Sequence, residues 1–305
     1  MPTKRPRPER RIVDWKGIKS LAIANDGRLY AGENGGFRVA AWAPDGTKLW
    51  EQAVARATNS MFRETWIDLI GDDLVVMARS ANSVTKLFVL DPVRGKIRRT
   101  VKIPTAAGFR ADRDRLVLAY DDTAILSYPT LVERARFEDY TTKLQLATPP
   151  DGRWIAAVGP DGTHVYDGRK LRLVRTIPSE ADAYSVAFAS DGRLVVGDAA
   201  GRLGIFDPAT GKQLARVEVA SERKRRPTVI AMAADGRYVA AGRDDGVLVV
   251  VDLETYKVTH RFDRHVGAGP SLATNALDGI GFHGDILWVT GTPKDEPIGL
   301  TGYVL

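Results

Sequence analysis

AYSVAFASDGRLVVGDAAGRLGIFDPATGKQLARVEV, residues 183–219, decides the fold. Four short runs, AYSVAFA, LVVGD, RLGIFD and QLARVEV, are rich in Val, Ile, Leu and Phe and read as strands. SDGR, AAG and PATGK separate them. Gly accepts a left-handed backbone there at little cost, and Asp bonds back to nearby amides. The next stretch repeats the plan: TVIAMA, ADGR, YVAAG, RDDG, VLVVVD, LETYK, VTHRF. Runs such as LVVV are apolar on both faces, which suits a sheet packed on each side.

The turn-and-strand signature recurs as DGRLYAG at Asp26–Gly32, DGRWIAA at Asp151–Ala157 and DGRYVAA at Asp235–Ala241. Degenerate copies follow Asp72, Asp114 and Gly284. The first apolar residues after these turns are Leu29, Leu74, Leu116, Trp154, Leu194, Tyr238 and Ile286, at intervals of 45, 42, 38, 40, 44 and 48. Seven units of that period, each with four short strands, predict an all-β, seven-bladed β-propeller of four-stranded antiparallel blades. The last unit shows three strands, near 279–283, 286–290 and 299–305, and Ile12–Trp15 is an apolar run ahead of the first full unit. The expected N-terminal strand, residues 12–16, completes the last blade and removes an open edge. Burial of Ile12, Val13 and Trp15 would contribute at most roughly 1.5–3 kcal/mol each. The expected organisation is a basic flexible tail over 1–11 and one propeller domain over 12–305.

Composition narrows the class. No run of about 18 apolar residues is present, so no membrane-spanning helix is expected. MPTKRPRPERR is basic but no apolar run follows it, which argues against a secretory signal. The chain contains no cysteine, which excludes disulfides, thiolate metal sites and cysteine nucleophiles and fits the cytoplasm. The net charge of +6 is uneven: residues 1–11 carry +4 and the ERKRR run at 222–226 carries +3. The remainder is a nearly neutral body.

LFVLDPVRGK around Asp91, HVYDGRK around Asp167, GIFDPATGK around Asp207 and VVVDLETYK around Asp252 resemble the end of the third strand in WD-repeat blades. The aspartate is kept, with Leu90, Tyr166, Phe206 or Val251 where that family has Trp, and the Gly-His pair that opens such blades is absent. The resemblance covers the chain from about residue 18 onward. It implies the propeller fold and a role as an interaction platform, since WD-repeat propellers are mostly that.

The chemistry-bearing residues point away from catalysis. Gly279-Ile-Gly-Phe-His-Gly284 has the spacing G-x-G-x-x-G, but it falls on a strand followed by a strand and not on the helix start that a dinucleotide needs. Gly95-Lys96 and Gly211-Lys212 lack the upstream glycine of a phosphate-binding loop. His164, His260, His265 and His283 lie in separate units without ligand spacing. Asp72-Asp73, Asp121-Asp122 and Asp244-Asp245 read as turns, and Trp42, Trp50 and Trp154 as blade packing. No cofactor and no metal are expected, and the protein is expected not to be an enzyme.

Three connections between units are long, about 55–64, 220–227 and 263–276. They carry Arg56 and Arg63, then Arg223, Lys224, Arg225 and Arg226, then Arg264 and His265. In the topology the resemblance implies, these loops emerge on one rim, and loops on a rigid scaffold are where binding residues sit. Arginine forks suit carboxylates and phosphates. The expected function is a scaffold or subunit of a larger intracellular assembly, monomeric in itself, that binds a protein partner through an acidic segment. Two alternatives stand beside it. One is a nucleic-acid-associated subunit that contacts phosphates through the basic tail and loop, with steep salt dependence. The other is a propeller hydrolase with a central metal gathered from several blades.

Overall fold

The computed structural model describes residues 8–12, 15, 18–33, 35–56, 63–80, 85–103, 106, 108–119, 123–137, 146–159, 161–219, 229–243, 246–262, 265–266, 279–290, 292–293 and 299–305. After an N-terminal strand, β1 (Pro8–Ile12), blade 1 holds β2 (Ile18–Ile23), β3 (Leu29–Glu33), β4 (Arg38–Trp42) and β5 (Lys48–Ala53). Blade 2 holds β6 (Arg63–Ile70), β7 (Asp73–Ser80), β8 (Lys86–Leu90) and β9 (Ile97–Lys102). Blade 3 is β10 (Gly108–Asp112), β11 (Arg115–Ala119), β12 (Thr123–Ser127) and β13 (Glu133–Phe137). Blade 4 is β14 (Leu146–Ala147), β15 (Trp154–Gly159), β16 (Gly162–Asp167) and β17 (Arg172–Ile177). Blade 5 is β18 (Ala183–Phe188), β19 (Leu194–Asp198), β20 (Arg202–Phe206) and β21 (Gln213–Glu218). Blade 6 is β22 (Val229–Ala234), β23 (Tyr238–Arg243), β24 (Leu248–Asp252) and β25 (Lys257–Phe262). A short pair follows, β26 (His265–Val266) with β29 (Thr292–Pro293), and blade 7 contains β27 (Ile280–His283), β28 (Ile286–Thr290) and β30 (Leu300–Val304).

Every blade is a four-stranded antiparallel sheet, and no helix occurs among the described residues. The chain is a seven-bladed β-propeller. It divides into two compact units, one with blades 1, 2 and 7 and the other with blades 3–6. In each unit the core lies between consecutive sheets. Val195, Leu203 and Ile205 of blade 5 meet Val239, Val249 and Val251 of blade 6. Val39, Ala41 and Tyr30 of blade 1 meet Leu74, Val76 and Phe88 of blade 2. The runs apolar on both faces fit such stacking: blade 5 packs on blade 4 through Phe188, Leu194 and Val196 and on blade 6 through Val195, Leu203 and Ile205. Polar bonds add register: Ser20 Oγ donates to Thr65 O at 2.9 Å and accepts from Ile67 N at 3.0 Å, tying β2 to β6.

The fourth strand of blade 7 is β1, which pairs antiparallel with β30 from Pro8↔Tyr303 to Ile12↔Leu300. Closure by the N-terminal strand is as expected, but its position is not. The strand is 8–12 and not 12–16, so residues 8–11 belong to the blade and not to a flexible tail. The reason is physical. An outermost strand needs backbone groups to pair on one side and tolerates a charged sequence such as PERRI on the other. Proline fits as its first residue. Trp15 follows the strand and is 2% exposed. It packs edge-on against Trp42 at 5.4 Å within the cluster that includes Trp288 and Leu300.

The repeated aspartates build the turns. Asp26, Asp151, Asp191 and Asp235 each accept the amide two residues on, from Arg28, Arg153, Arg193 and Arg237. Before the outer strands, Asp91 accepts Val93 and Arg94, Asp167 accepts Arg169 and Lys170, Asp207 accepts Ala209 and Thr210, and Asp252 accepts Glu254 and Thr255. The fifth residue of those turns is left-handed, Gly95 and Gly211 in two blades but Leu171 (φ 52°) and Tyr256 (φ 56°) in two others. The latter pair are half-buried against the sheet clusters, which offsets part of a conformational cost of about 1–2 kcal/mol.

The bonds before the outer strands hold Asp91, Asp167, Asp207 and Asp252 below the ordinary carboxyl range. The leading causes are the Lys170 amide at Asp167, the Thr255 amide at Asp252 and Thr210 at Asp207. At Asp91 burial pushes upward, and the Val93 amide and Arg98 outweigh it. A carboxyl lowered in the folded chain stabilises it above the unfolded pKa, and that contribution is lost as pH falls through the folded value. Melting temperature is therefore expected to drop steeply below about pH 4. An Asp207→Asn, Asp252→Asn double variant is expected to flatten the drop, and an unchanged slope would show that these turns are not the acid-sensitive elements.

Candidate functional site

Strands alternate in direction within a blade, so the turns after its first and third strands share one end. The Asp-capped turns cluster at that end, and between neighbouring blades they enclose grooves. One, of about 820 Å³, lies between blades 1 and 2 and is lined by Asn25, Arg28 and Tyr30 on one side and Asp72, Asp91 and Arg94 on the other, with Arg98 behind. Two features hold its walls. Arg98 bridges Asp73 at 2.7 Å and Asp91 at 2.9 Å, and Trp50 Nε1 donates to Pro92 O at 3.0 Å. Trp50 packs so closely beneath the turn that a Cβ on Gly95 would fall 2.6 Å from its ring. This fixes glycine there for space as well as for its φ of 68°.

The charges differ in availability. Arg28 Nε is held by Asp26 Oδ2 at 2.7 Å, and Arg98 is engaged twice. Arg94 has no carboxylate partner among the described residues and stands exposed at the lip. At the floor Tyr30 is fully buried, 6.1 Å from the Trp50 ring, and its hydroxyl has no hydrogen-bond partner among the described residues.

Smaller grooves repeat the arrangement in the other unit. One of about 200 Å³ between blades 3 and 4 is lined by Arg113, Arg134 and Arg169, with Arg115 at its base. Another of about 320 Å³ between blades 4 and 5 is lined by Arg153, Trp154, Arg193 and Asp207. Arg153 lies over the Trp154 ring at 5.1 Å, and Arg193 is held by Asp191 and donates to Leu253 O. Their arginines are thus engaged largely in holding turns together.

Residues 147–294, just under half of the chain, match the family model described as outer membrane protein assembly factor BamB. The chain is similar to that family over blades 4–6 and part of blade 7. No curated protein matches it. The match supports the propeller architecture and is to a family other than the WD-repeat one, whose membership it does not show.

The long connections join fourth strands to first strands. Of the residues singled out on them, Arg56 is exposed and does not line the groove. Arg63 begins β6 and His265 lies in β26, their side chains outside the described residues, as are Arg223, Lys224, Arg225, Arg226 and Arg264 altogether. Among the described residues no three His, Asp or Glu side chains gather as a metal would require. His164 pairs with Asp161 at 2.7 Å, and His260 stacks on Phe262 with burial pushing its pKa down. Gly279–Gly284 falls on β27 and its following turn, where Gly279 N donates to Thr290 Oγ1. Asp72 stands in the turn between β6 and β7 at the rim of the large groove. Sequence reasoning missed Tyr30, Trp50 and Arg94. The signal available was that Tyr30 stands four residues after its turn aspartate, where the other Asp-Gly-Arg units have Ile155, Val195 and Val239.

Proposed function

We propose that the protein is a non-enzymatic interaction propeller, monomeric in itself, that serves as a scaffold or subunit of a larger assembly. The observation that carries this reading is the groove between blades 1 and 2: a preformed concave surface with locked walls and an exposed arginine, Arg94, that has no carboxylate partner among the described residues. Its titratable groups are arranged for recognition. Asp91 is tied down by amides and Arg98, which leaves it poorly placed as a general base. The similarity to a family named for an assembly factor supports a role among protein partners. The basic loops, with Arg56, Arg63, Arg223, Lys224, Arg225, Arg226, Arg264 and His265, supply a second contact in this reading. The Asp-capped turns keep a WD-repeat-like kinship within the proposal, and the absence of cysteine keeps the cytoplasm as its compartment.

A pull-down from nuclease-treated native extract tests it, with wild type beside a variant in which Arg223, Lys224, Arg225 and Arg226 are all alanine. A protein partner held by wild type and weakened in the variant is the expected result. Binding that disappears with nuclease treatment would move the function to nucleic acid.

A further inference from the structure

The outer edge of blade 2 supports a more specific statement, which rests on the interaction reading above. We infer that β9 is a docking edge for an acidic segment of the partner, which adds to the blade as an extended strand beside Arg99–Lys102.

Charge singles out this edge. The hairpin of β8 and β9, residues 86–102, carries Lys86, Arg94, Lys96, Arg98, Arg99 and Lys102 against Asp91 alone, a net +5, and all six cations are exposed. The corresponding hairpins of blades 1, 3, 5 and 6 carry 0 or +1, and that of blade 4 carries +3. Asp91 is already engaged, since it and Asp73 hold Arg98. Lys86, Arg94, Lys96 and Lys102 have no carboxylate partner among the described residues.

The strand register adds an independent observation. Lys86 stands directly opposite Lys102, so two ammonium groups leave the same face of the sheet side by side. Like charges placed opposite each other, with Cβ atoms about 5 Å apart, destabilise the pair. At the same place blade 5 sets Arg202 opposite Glu218, and blades 1, 3, 4 and 6 set no two charges against each other. A carboxylate brought to Lys102 from the open side of β9 relieves the repulsion.

The backbone decides the class of ligand. β9 pairs with β8 on one edge and, among the described residues, with nothing on the other. Its bulge falls at Arg98, near the turn, whereas Arg99–Lys102 pair regularly with Val89, Phe88, Leu87 and Lys86. That regular stretch presents outward N–H and C=O groups, which a peptide strand completes. A nucleic-acid strand offers acceptors but no matching row of backbone N–H groups. A second copy of β9 would set cation against cation, so the same charges oppose self-pairing and admit an acidic strand. Lys96 and Lys102 are roughly 20 Å apart along the edge, which a segment of about six residues spans.

The test uses the full chain and fluorescence anisotropy with a fluorescein-labelled six-residue peptide of alternating glutamate and valine. Beside it stand the same peptide N-methylated at its internal amides, a lysine–valine counterpart and a thymidine hexanucleotide. The acidic peptide is expected to bind, and the N-methylated and lysine peptides to bind on the order of tenfold more weakly or less. A Lys96→Glu, Lys102→Glu variant is expected to reverse the preference and bind the lysine peptide better than the acidic one. A glutamate at position 102 faces Lys86, so this variant is expected to melt no lower than wild type. The four-alanine 223–226 variant is expected to bind as wild type does. No binding of the acidic peptide, equal binding of its N-methylated form, an unchanged preference in the double variant, or tighter binding of the oligonucleotide would each overturn the site. The pull-down separates this from the broader reading. A partner kept by the Lys96→Glu, Lys102→Glu protein leaves the interaction function standing and removes β9 from it. No partner held by any form sinks the interaction function, while the anisotropy still decides the edge.

Discussion

Removing residues 1–12 is expected to lower the melting temperature by on the order of 10 °C. The deletion takes away β1 and leaves β30 as an unpaired edge. Backbone hydrogen bonds contribute about 1 kcal/mol each, so the register from Pro8 to Ile12 accounts for about 4 kcal/mol, and each kcal/mol corresponds to roughly 2–4 °C in chains of about this size. The exposed edge also invites pairing between molecules, so concentration-dependent aggregation should accompany the loss. A truncation ending before Pro8 separates the strand from the tail: residues 1–7 should be removable with little change in melting temperature. If both truncations behaved alike, β1 would not be closing blade 7.

Asp112→Ala is the second large effect, in the other unit. Asp112 and Arg115 have side chains only 4% and 7% exposed and meet at 2.6 Å. Arg115 also donates to Gly152 O at 2.7 Å and to Gly168 O, so a side chain of blade 3 holds both turns of blade 4. Deleting the carboxylate strands a buried guanidinium, and breaking such a pair costs about 3–5 kcal/mol. On the same scale this is roughly 6–20 °C in melting temperature. The double change Asp112→Leu, Arg115→Met removes the charge as well as its partner and should recover much of the loss. A single variant that melted with wild type would show that the pair does not hold the blades.

These cases show what a sequence can carry. The Asp-Gly-Arg turns were legible because their chemistry is local: Asp26 bonds an amide two residues away, and any chain with those residues bends alike. Blade number and strand order followed from the spacing of such turns. The closing strand was misplaced by four residues because PERRI has no apolar signature, and an outer strand needs none. The Asp112–Arg115 pair was hidden inside a run of alternating charges that looks like any solvated turn; only the packing of blade 4 over it makes it buried. The groove was hidden for a similar reason. Tyr30, Trp50 and Arg94 are up to 64 residues apart and belong to two blades, so their meeting depends on which turn stands beside which. The basic loops drew the eye because charge runs are visible in one dimension, whereas Arg94 is a single arginine in an ordinary turn.

Capture of a partner from nuclease-treated native extract, by wild type and by an Arg94→Ala variant, is the decisive measurement for the interaction reading. Wild type is expected to retain a protein with an acidic segment, and the Arg94→Ala variant to hold it more weakly while keeping the wild-type melting temperature, since Arg94 is exposed. Equal retention by both proteins, or no partner on wild type, would contradict it.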